Sequence, residues 1–289
     1  MNKMGLENHA ELLNSLVAEH VGRALVEDLG GRGDITSQAT IPVDHHAGFV
    51  IRARAAGVLS GVQVAHETFR QVDPTLVLDW RAGEGDRLEA GDIAVSITGS
   101  ARSILTAERT ALNFLGRLSG IATHTRAFVE AVAGTRAAIA HTRKTTPGLR
   151  ALELRAVAAG GGAPHRFGLD DAVLIKDNHV AVCGGVAEAV RRARQQVGHM
   201  TRVAVEIDRL DQLDEALEAG ADSILLDNFA IADLVSAVAA ARPAGVVLEA
   251  SGGVGLDGVR AIAETGIDVI SIGAITHSAP NLDLGMDPA

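Results

Sequence analysis

The amino-acid sequence predicts an α/β protein built from a small N-terminal α+β domain and a larger C-terminal domain of repeated βαβ units. Three observations carry this. Six strand-like runs follow one another between residues 136 and 274, mostly separated by segments with helical periodicity. Before them, residues 47–100 hold shorter strand-like runs divided by glycine-rich turns. Hydrophobic residues make up 47 % of the 289 positions but aromatics only 2 %, with no tyrosine, so the interior is packed from Ala, Val, Leu and Ile, as stacked helix and sheet layers are.

The first element is a helix over residues 9–29, where Leu12, Leu13, Leu16, Val17, Val21 and Leu25 share one stripe and Gly30-Gly31 ends it. GDIT, Gly33 to Thr36, follows as a turn. GFVIRARA, TLVLDW and DIAVSIT read as strands, with a helix from Val62 to Val72 among them. Residues 103–133 form a long helix that links the two domains. The division assigns residues 1–118 to the N-terminal domain and residues 119–289, C-terminal tail included, to the larger one.

In the C-terminal part the runs are RAAIAHT, AVLIKDN, RVAVEID, SILLDN, VVLEASG and DVISIGA; GVAEAVRRARQQV, LDQLDEALEAG, AIADLVSAVAAAR and LDGVRAIAETG are the intervening helices. Right-handed crossovers in series either close a barrel or build an open sheet, and the barrel is the preferred reading. Each run begins apolar and ends in chemically capable residues: His141-Thr142-Arg143-Lys144, Lys176-Asp177-Asn178-His179, Glu206-Ile207-Asp208, Asp227-Asn228, Ser251-Gly252-Gly253, and Ile272-Gly273-Ala274 followed by Thr276-His277-Ser278. Strand C-termini converge on the active face of α/β barrels, so these six segments are expected to assemble one pocket.

Charge narrows what that pocket takes. A net charge of −10 argues against nucleic acid as partner. Between Arg136 and Lys176, however, seven basic residues face three acidic ones, enough for a locally positive cleft that accepts a small anion. Only Lys3, Lys144 and Lys176 are lysines, so arginine supplies the ordinary surface charge and a patterned lysine suggests a site for a compact ammonium. The one cysteine, Cys183, reads as a small filler and permits no intramolecular disulfide, which favours a reducing compartment. The N-terminus lacks a signal-peptide pattern and no apolar run is long enough to span a bilayer, so the expectation is a cytoplasmic protein.

The glycine turns Ser251-Gly252-Gly253 and Gly273-Ala274, with His277 as a further donor, suit a phosphate bound by backbone N–H groups; simple turn chemistry is the plainer reading of each. Glu206 and Asp227 suit ribose hydroxyls and Mg²⁺ bridging to a pyrophosphate, or general-base work, or structural pairing with arginines. Arg143, His165, Arg166 and Lys176 suit a dicarboxylate, with Lys144 toward a pyrophosphate. His45-His46 reads as an exposed pair and His124 as structural.

HTRKTTPGLRALE (141–153), GGGAPHRFGL (160–169), VLIKDNH (173–179), VEID (205–208), LLDNF (225–229), EASGG (249–253) and GAITHS (273–278), with GDIT and LTAERTALNFLGRLSGIAT (105–123), closely resemble quinolinate phosphoribosyltransferases over nearly the whole chain. The resemblance implies a small N-terminal α/β sandwich joined to an incomplete parallel α/β barrel, in a homodimer. It implies phosphoribosyl transfer from phosphoribosyl pyrophosphate to quinolinate with decarboxylation, a step of NAD synthesis. By motif, Arg143, His165, Arg166 and Lys176 would bind quinolinate, joined by Arg109 of the partner subunit. Lys144 would lie toward pyrophosphate, Glu206 and Asp227 at the ribose and Mg²⁺, and residues 251–253 and 272–274 at the 5′-phosphate, with Thr142 among the substrate-binding residues. Lys144, Lys176, Glu206 and Asp227 are the expected catalytic set.

Three positions depart from the family pattern: Pro164 where Asn usually precedes His-Arg, Leu154-Arg155 where Lys-Tyr is usual, and His141 where an acid is common. Pro-His-Arg is reminiscent of a related branch associated with molybdenum transport, which lacks the intact Lys-Asp-Asn-His segment. A Schiff-base barrel aldolase using Lys176 and a non-catalytic phosphate-binding relative are the alternatives.

Overall fold

The computed structural model describes residues 3–289, with side chains from Asn14 onward. The chain forms two compact units: residues up to Thr123 together with Ala279–Ala289, and His124–Ser278.

In the first unit, helix α1 (Lys3–Leu29) buries Val17, Val21 and Leu25 of the predicted stripe. Leu12 and Leu13 lie outside the described side chains. The GDIT segment does more than turn. Asp34 caps a short helix, α2 (Ile35–Thr40), by accepting the Ser37 N–H at 2.9 Å. Strands β1 (His46–Ala53), β2 (Gly57–Val58), β3 (Val77–Trp80), β4 (Arg87–Leu88) and β5 (Ile93–Ser100) follow, with α3 (Val62–Val72) between β2 and β3. Phe69 of α3 and Ile51, Val95 and Ile97 of the sheet are fully buried in one apolar cluster with Ile104 and Leu115 of α4 (Ala101–Ala131).

The second unit contains β6 (Ala138–Ala140), β7 (Val173–Ile175), β8 (Val203–Ile207), β9 (Ser223–Asp227), β10 (Val247–Ser251) and β11 (Val269–Ser271). Helices α5 (Arg150–Ala159), α6 (Asp177–Cys183), α7 (Val186–Gln196), α8 (Leu213–Glu218), α9 (Ile231–Ala241), α10 (Leu256–Glu264) and α11 (Ala274–His277) alternate with them. All pairings are parallel, in the order β6-β11-β10-β9-β8-β7. The first strand thus lies beside the last, as in a barrel; a doubly wound sheet would reverse direction at a switch point. Closure is incomplete. The free side of β6 takes a single parallel bridge, Ala140 to Ala163, where the Ala163 N–H donates to Ile139 O at 2.7 Å.

Alternation along β8 buries Val203, Val205 and Ile207, which leaves Glu206 for the opposite, inner face. Register carries that face sideways. Glu206, Leu225 and Glu249 form one row across β8, β9 and β10, and Asp227 and Ser251 begin the next row toward the strand ends.

The C-terminal tail departs from the sequence-based division, which kept it with the larger domain. Its strand β12 (Leu284–Pro288) pairs antiparallel with β1, so the four-stranded sheet of the first unit runs β12-β1-β5-β3. Leu282 and Leu284 enter that unit's core. The reason is an open edge: the β1 edge away from β5 has backbone groups to satisfy, and the tail satisfies them.

Candidate active site

A cavity of about 590 Å³ opens in the second unit, lined from the C-terminal ends of its strands and the loops that follow. Thr142, Arg143, Lys144, His165, Arg166, Lys176, Glu206, Asp227, Ser251, Gly252 and Gly253 all line it. Five of the six predicted strand ends meet at this one rim, joined by His165 and Arg166; the sixth contributes only Ser271, ahead of the predicted Gly273.

Each side chain is delivered by local geometry. β7 ends in buried Ile175, and the next residue, Lys176, is extended (φ −112°, ψ 169°) at the start of α6 with its N–H donated to His179 Nδ1 at 3.0 Å. Held there, the Lys176 ammonium pairs with the Glu206 carboxylate of the neighbouring strand. After β6, the Lys144 N–H donates to Thr142 Oγ1 at 3.1 Å. Fully buried Glu153 accepts the Thr146 N–H at 3.1 Å and the Thr146 hydroxyl at 2.7 Å. Arg150 ties this loop to the next one, donating to Thr145 Oγ1 and to Phe167 O, each at 3.1 Å.

Electrostatically the site wants an anion. Arg143 and Arg166 each keep a buried Nε without a hydrogen-bond partner. Burial, reinforced by the neighbouring Arg143 charge, holds Arg166 below the usual arginine range, and a bound carboxylate would relieve both effects. At the rim, the backbone is shaped for close approach: Gly252 has φ +98°, and a Cβ there would lie 2.2 Å from Asn228 Oδ1. Asn228, itself at φ +58°, donates its side-chain amide to Asp227 Oδ2 at 2.7 Å and its N–H to Ser251 O at 2.9 Å.

The remaining predicted residues lie off the lining. Gly273 adjoins it: a Cβ there would stand 2.9 Å from Lys144 Cδ and 3.1 Å from His277 Nε2. Ile272 has a buried side chain and gives its N–H to Ala140 O at 3.0 Å, and Ala274 opens α11. Arg109 is exposed on α4 of the first unit. Among the described residues, no group of three or more His, Cys, Asp or Glu could hold a metal ion, so the predicted pair Glu206 and Asp227 has no third such ligand beside it. Leu174, Leu225, Glu249 and Ser271 line the cavity without having been singled out in the sequence, and Asn228 joins them from the predicted Asp227-Asn228 strand end. Glu249 was within reach, because it stands two residues before Ser251 and strand alternation puts both on one face.

The sequence matches the model of the quinolinate phosphoribosyl transferase N-terminal domain over residues 34–119 and that of the C-terminal domain over residues 121–287. The chain belongs to the quinolinate phosphoribosyltransferase family. A Bacillus subtilis relative, "Probable nicotinate-nucleotide pyrophosphorylase [carboxylating]", is 42 % identical over 97 % of this chain and 94 % of its own. A Mycobacterium leprae "Nicotinate-nucleotide pyrophosphorylase [carboxylating]" is 46 % identical over 92 % and 95 %. Among solved structures, the nicotinate-nucleotide pyrophosphorylase from Francisella tularensis superposes with a TM-score of 0.91 at 39 % identity, covering 96 % of this chain and 97 % of that one.

Seen as a quinolinate phosphoribosyltransferase, the chain's three departures fall in different places. Leu154 and Arg155 sit on α5, off the cavity lining. Pro164 is exposed and follows the Ala140–Ala163 bridge. His141 is buried, and its Nε2 accepts the His165 N–H at 3.1 Å. Burial holds its pKa at about 4, well below the ordinary imidazole value, so it is a neutral acceptor at pH 7.

Proposed function

We propose that this enzyme transfers the phosphoribosyl group of phosphoribosyl pyrophosphate to the ring nitrogen of quinolinate and releases the 2-carboxylate as CO₂, giving nicotinate mononucleotide and pyrophosphate for NAD synthesis. The observation that carries this reading is one cavity whose lining combines Arg143, Arg166 and Lys176 with Ser251-Gly252-Gly253. The first set suits a pyridine dicarboxylate, the second a sugar phosphate bound by bare amides. Relatives whose names include "[carboxylating]" support the same reaction.

In this reading the bond from ribose C1′ to pyrophosphate breaks, and the ring nitrogen attacks the electron-poor carbon. The ring, now cationic, takes up the electron pair left as the bond to the 2-carboxylate breaks, and a proton replaces CO₂. The chain's part is orientation and charge. Arg143, Arg166 and Lys176 hold the dicarboxylate, with His165 beside them; Lys144 and Thr142 face the pyrophosphate; Glu206 and Asp227 face the ribose. Mg²⁺ commonly takes one or two protein carboxylates and completes its shell with substrate phosphates and water, which fits a site offering Glu206 and Asp227. Bound there, it would neutralise charge on the leaving pyrophosphate.

The exposed Arg109 suits a homodimer in which it reaches the partner's dicarboxylate site. A chain with one cysteine fits the reducing cytosol, and no helix among the described residues is long and apolar enough to cross a membrane. A Schiff-base aldolase is not favoured: it needs Lys176 Nζ free to attack a carbonyl carbon, whereas that nitrogen is engaged by the Glu206 carboxylate. The test is turnover of quinolinate, phosphoribosyl pyrophosphate and Mg²⁺ beside the same mixture with nicotinate. Mononucleotide and CO₂ from quinolinate alone are expected; turnover of nicotinate alone would overturn the assignment.

A further inference from the structure

Glu249 has no task in the reaction as described. It is 7 % exposed on the inner face of β10 and lines the cavity. Its Oε2 lies 3.3 Å from His165 Nε2, while Oε1 is buried without a hydrogen-bond partner. A buried acid in the wall of a dianion's site repels that dianion, so its presence calls for a role other than gripping substrate.

The hydrogen bonds of His165 define one. Its Nδ1 accepts the Arg166 N–H at 2.8 Å, which requires a lone pair on Nδ1. The proton of the neutral ring therefore sits on Nε2, facing Glu249 Oε2. Both ring nitrogens are thus committed inside the protein. The backbone N–H of His165, separately, is donated to buried His141 Nε2. The next residue, Arg166, carries the guanidinium that lines the cavity with a buried, unpartnered Nε.

We infer that Glu249 is a positioning residue: it clamps the His165 ring as the Nε2–H tautomer while His141 holds the His165 backbone N–H, and the clamped ring, a strut and not a ligand, fixes the backbone from which Arg166 reaches the dicarboxylate. The inference rests on the proposed reaction, because it takes Arg166 to meet the pyridine carboxylates. What the strut needs from Glu249 is an acceptor oxygen, and the negative charge is incidental to it.

Two measurements test this. Long-range ¹⁵N–¹H NMR of the wild-type enzyme, with the signal assigned by its loss in His165→Gln, reads the tautomer without any turnover. The Nε2–H form is expected; the Nδ1–H form or a tautomer mixture would overturn the clamp. In steady-state kinetics Glu249→Gln, which keeps an acceptor, should leave the KM for quinolinate within about threefold of wild type. Glu249→Met, similar in length but without an acceptor, should raise it by about tenfold or more, with the KM for phosphoribosyl pyrophosphate unchanged within about twofold in both variants. Equal effects of Gln and Met, or equal effects on both substrates, would overturn the role. Should the Met variant fail to fold by circular dichroism, the wild-type tautomer decides. A wild-type enzyme that does not turn over quinolinate would sink the proposed reaction, while its NMR spectrum still reports on the clamp.

Discussion

The Lys176 ammonium and the Glu206 carboxylate are joined across the ends of the neighbouring strands β7 and β8, and the two partners differ in exposure. The Lys176 side chain is 46 % exposed and that of Glu206 12 %. Removing the lysine leaves the more buried carboxylate facing an anionic substrate. Lys176→Met is therefore expected to lower kcat/KM for quinolinate by about 100-fold. Because the two residues act as one unit, the double variant Lys176→Met/Glu206→Gln should fall by much less than the product of the single effects, which a double-mutant cycle in steady-state kinetics checks.

Gly252 and Gly253 look alike in the sequence but differ in space. Gly252→Ala combines a left-handed backbone at φ +98° with a Cβ 2.5 Å from Asn228 Cγ, so Asn228 must shift and release Asp227. Gly253→Ala meets open space and carries only the backbone strain of φ +58°, about 1–2 kcal/mol. The expected outcome is a raised KM for phosphoribosyl pyrophosphate in Gly252→Ala, well beyond that in Gly253→Ala. Kinetics of the two variants side by side decide it.

His141 links the site to pH. Burial lowers its pKa from 6.5 to about 4, so the unfolded chain binds the proton more readily than the folded one. Stability from this group is complete above pH 6.5, declines as pH falls toward 4, and loses nothing further below that, a total of about 3 kcal/mol. His141→Gln preserves an acceptor for the His165 N–H and should flatten the denaturation midpoint against pH across that window. Urea melts of both proteins between pH 7 and 4 would refute this if the two curves ran parallel.

Gly120 lets the tail reach α4. A Cβ at this position would lie 2.0 Å from Pro280 O and 2.8 Å from Asn281 Cα, both backbone atoms with little room to yield. Gly120→Ala is expected to destabilise the first unit by about 1–3 kcal/mol through overpacking. Residues 279–289 should then become accessible to limited proteolysis before the rest of the chain does. Thermal melting combined with a protease time course measures both effects.

Local pattern made much of this legible. The helix near Val62 to Val72 was readable because its apolar positions recur at helical spacing, and β8, β9 and β10 followed from short β-branched and aliphatic runs. Strand ends carrying Arg143, Lys176, Glu206, Asp227 and Ser251 were readable as one pocket because parallel βαβ units point all C-terminal ends the same way. The helix α2 behind GDIT was not, since a turn and a capped helix start share the same Asp and Thr; the Asp34–Ser37 hydrogen bond decides between them.

By itself, the sequence determined which residue types sit at the strand ends, and through them the family and the charge of the site. Only the tertiary structure decided that the tail completes the N-terminal sheet, that the gap of the incomplete barrel falls beside β6, and that His165 spends both ring nitrogens within the protein. The reason is physical. Periodicity and turn chemistry are set by neighbours within a few residues, whereas an edge strand's partner, a barrel's closure and a buried carboxylate's donor are chosen among groups far apart in the chain, by competition for the same backbone and side-chain hydrogen bonds.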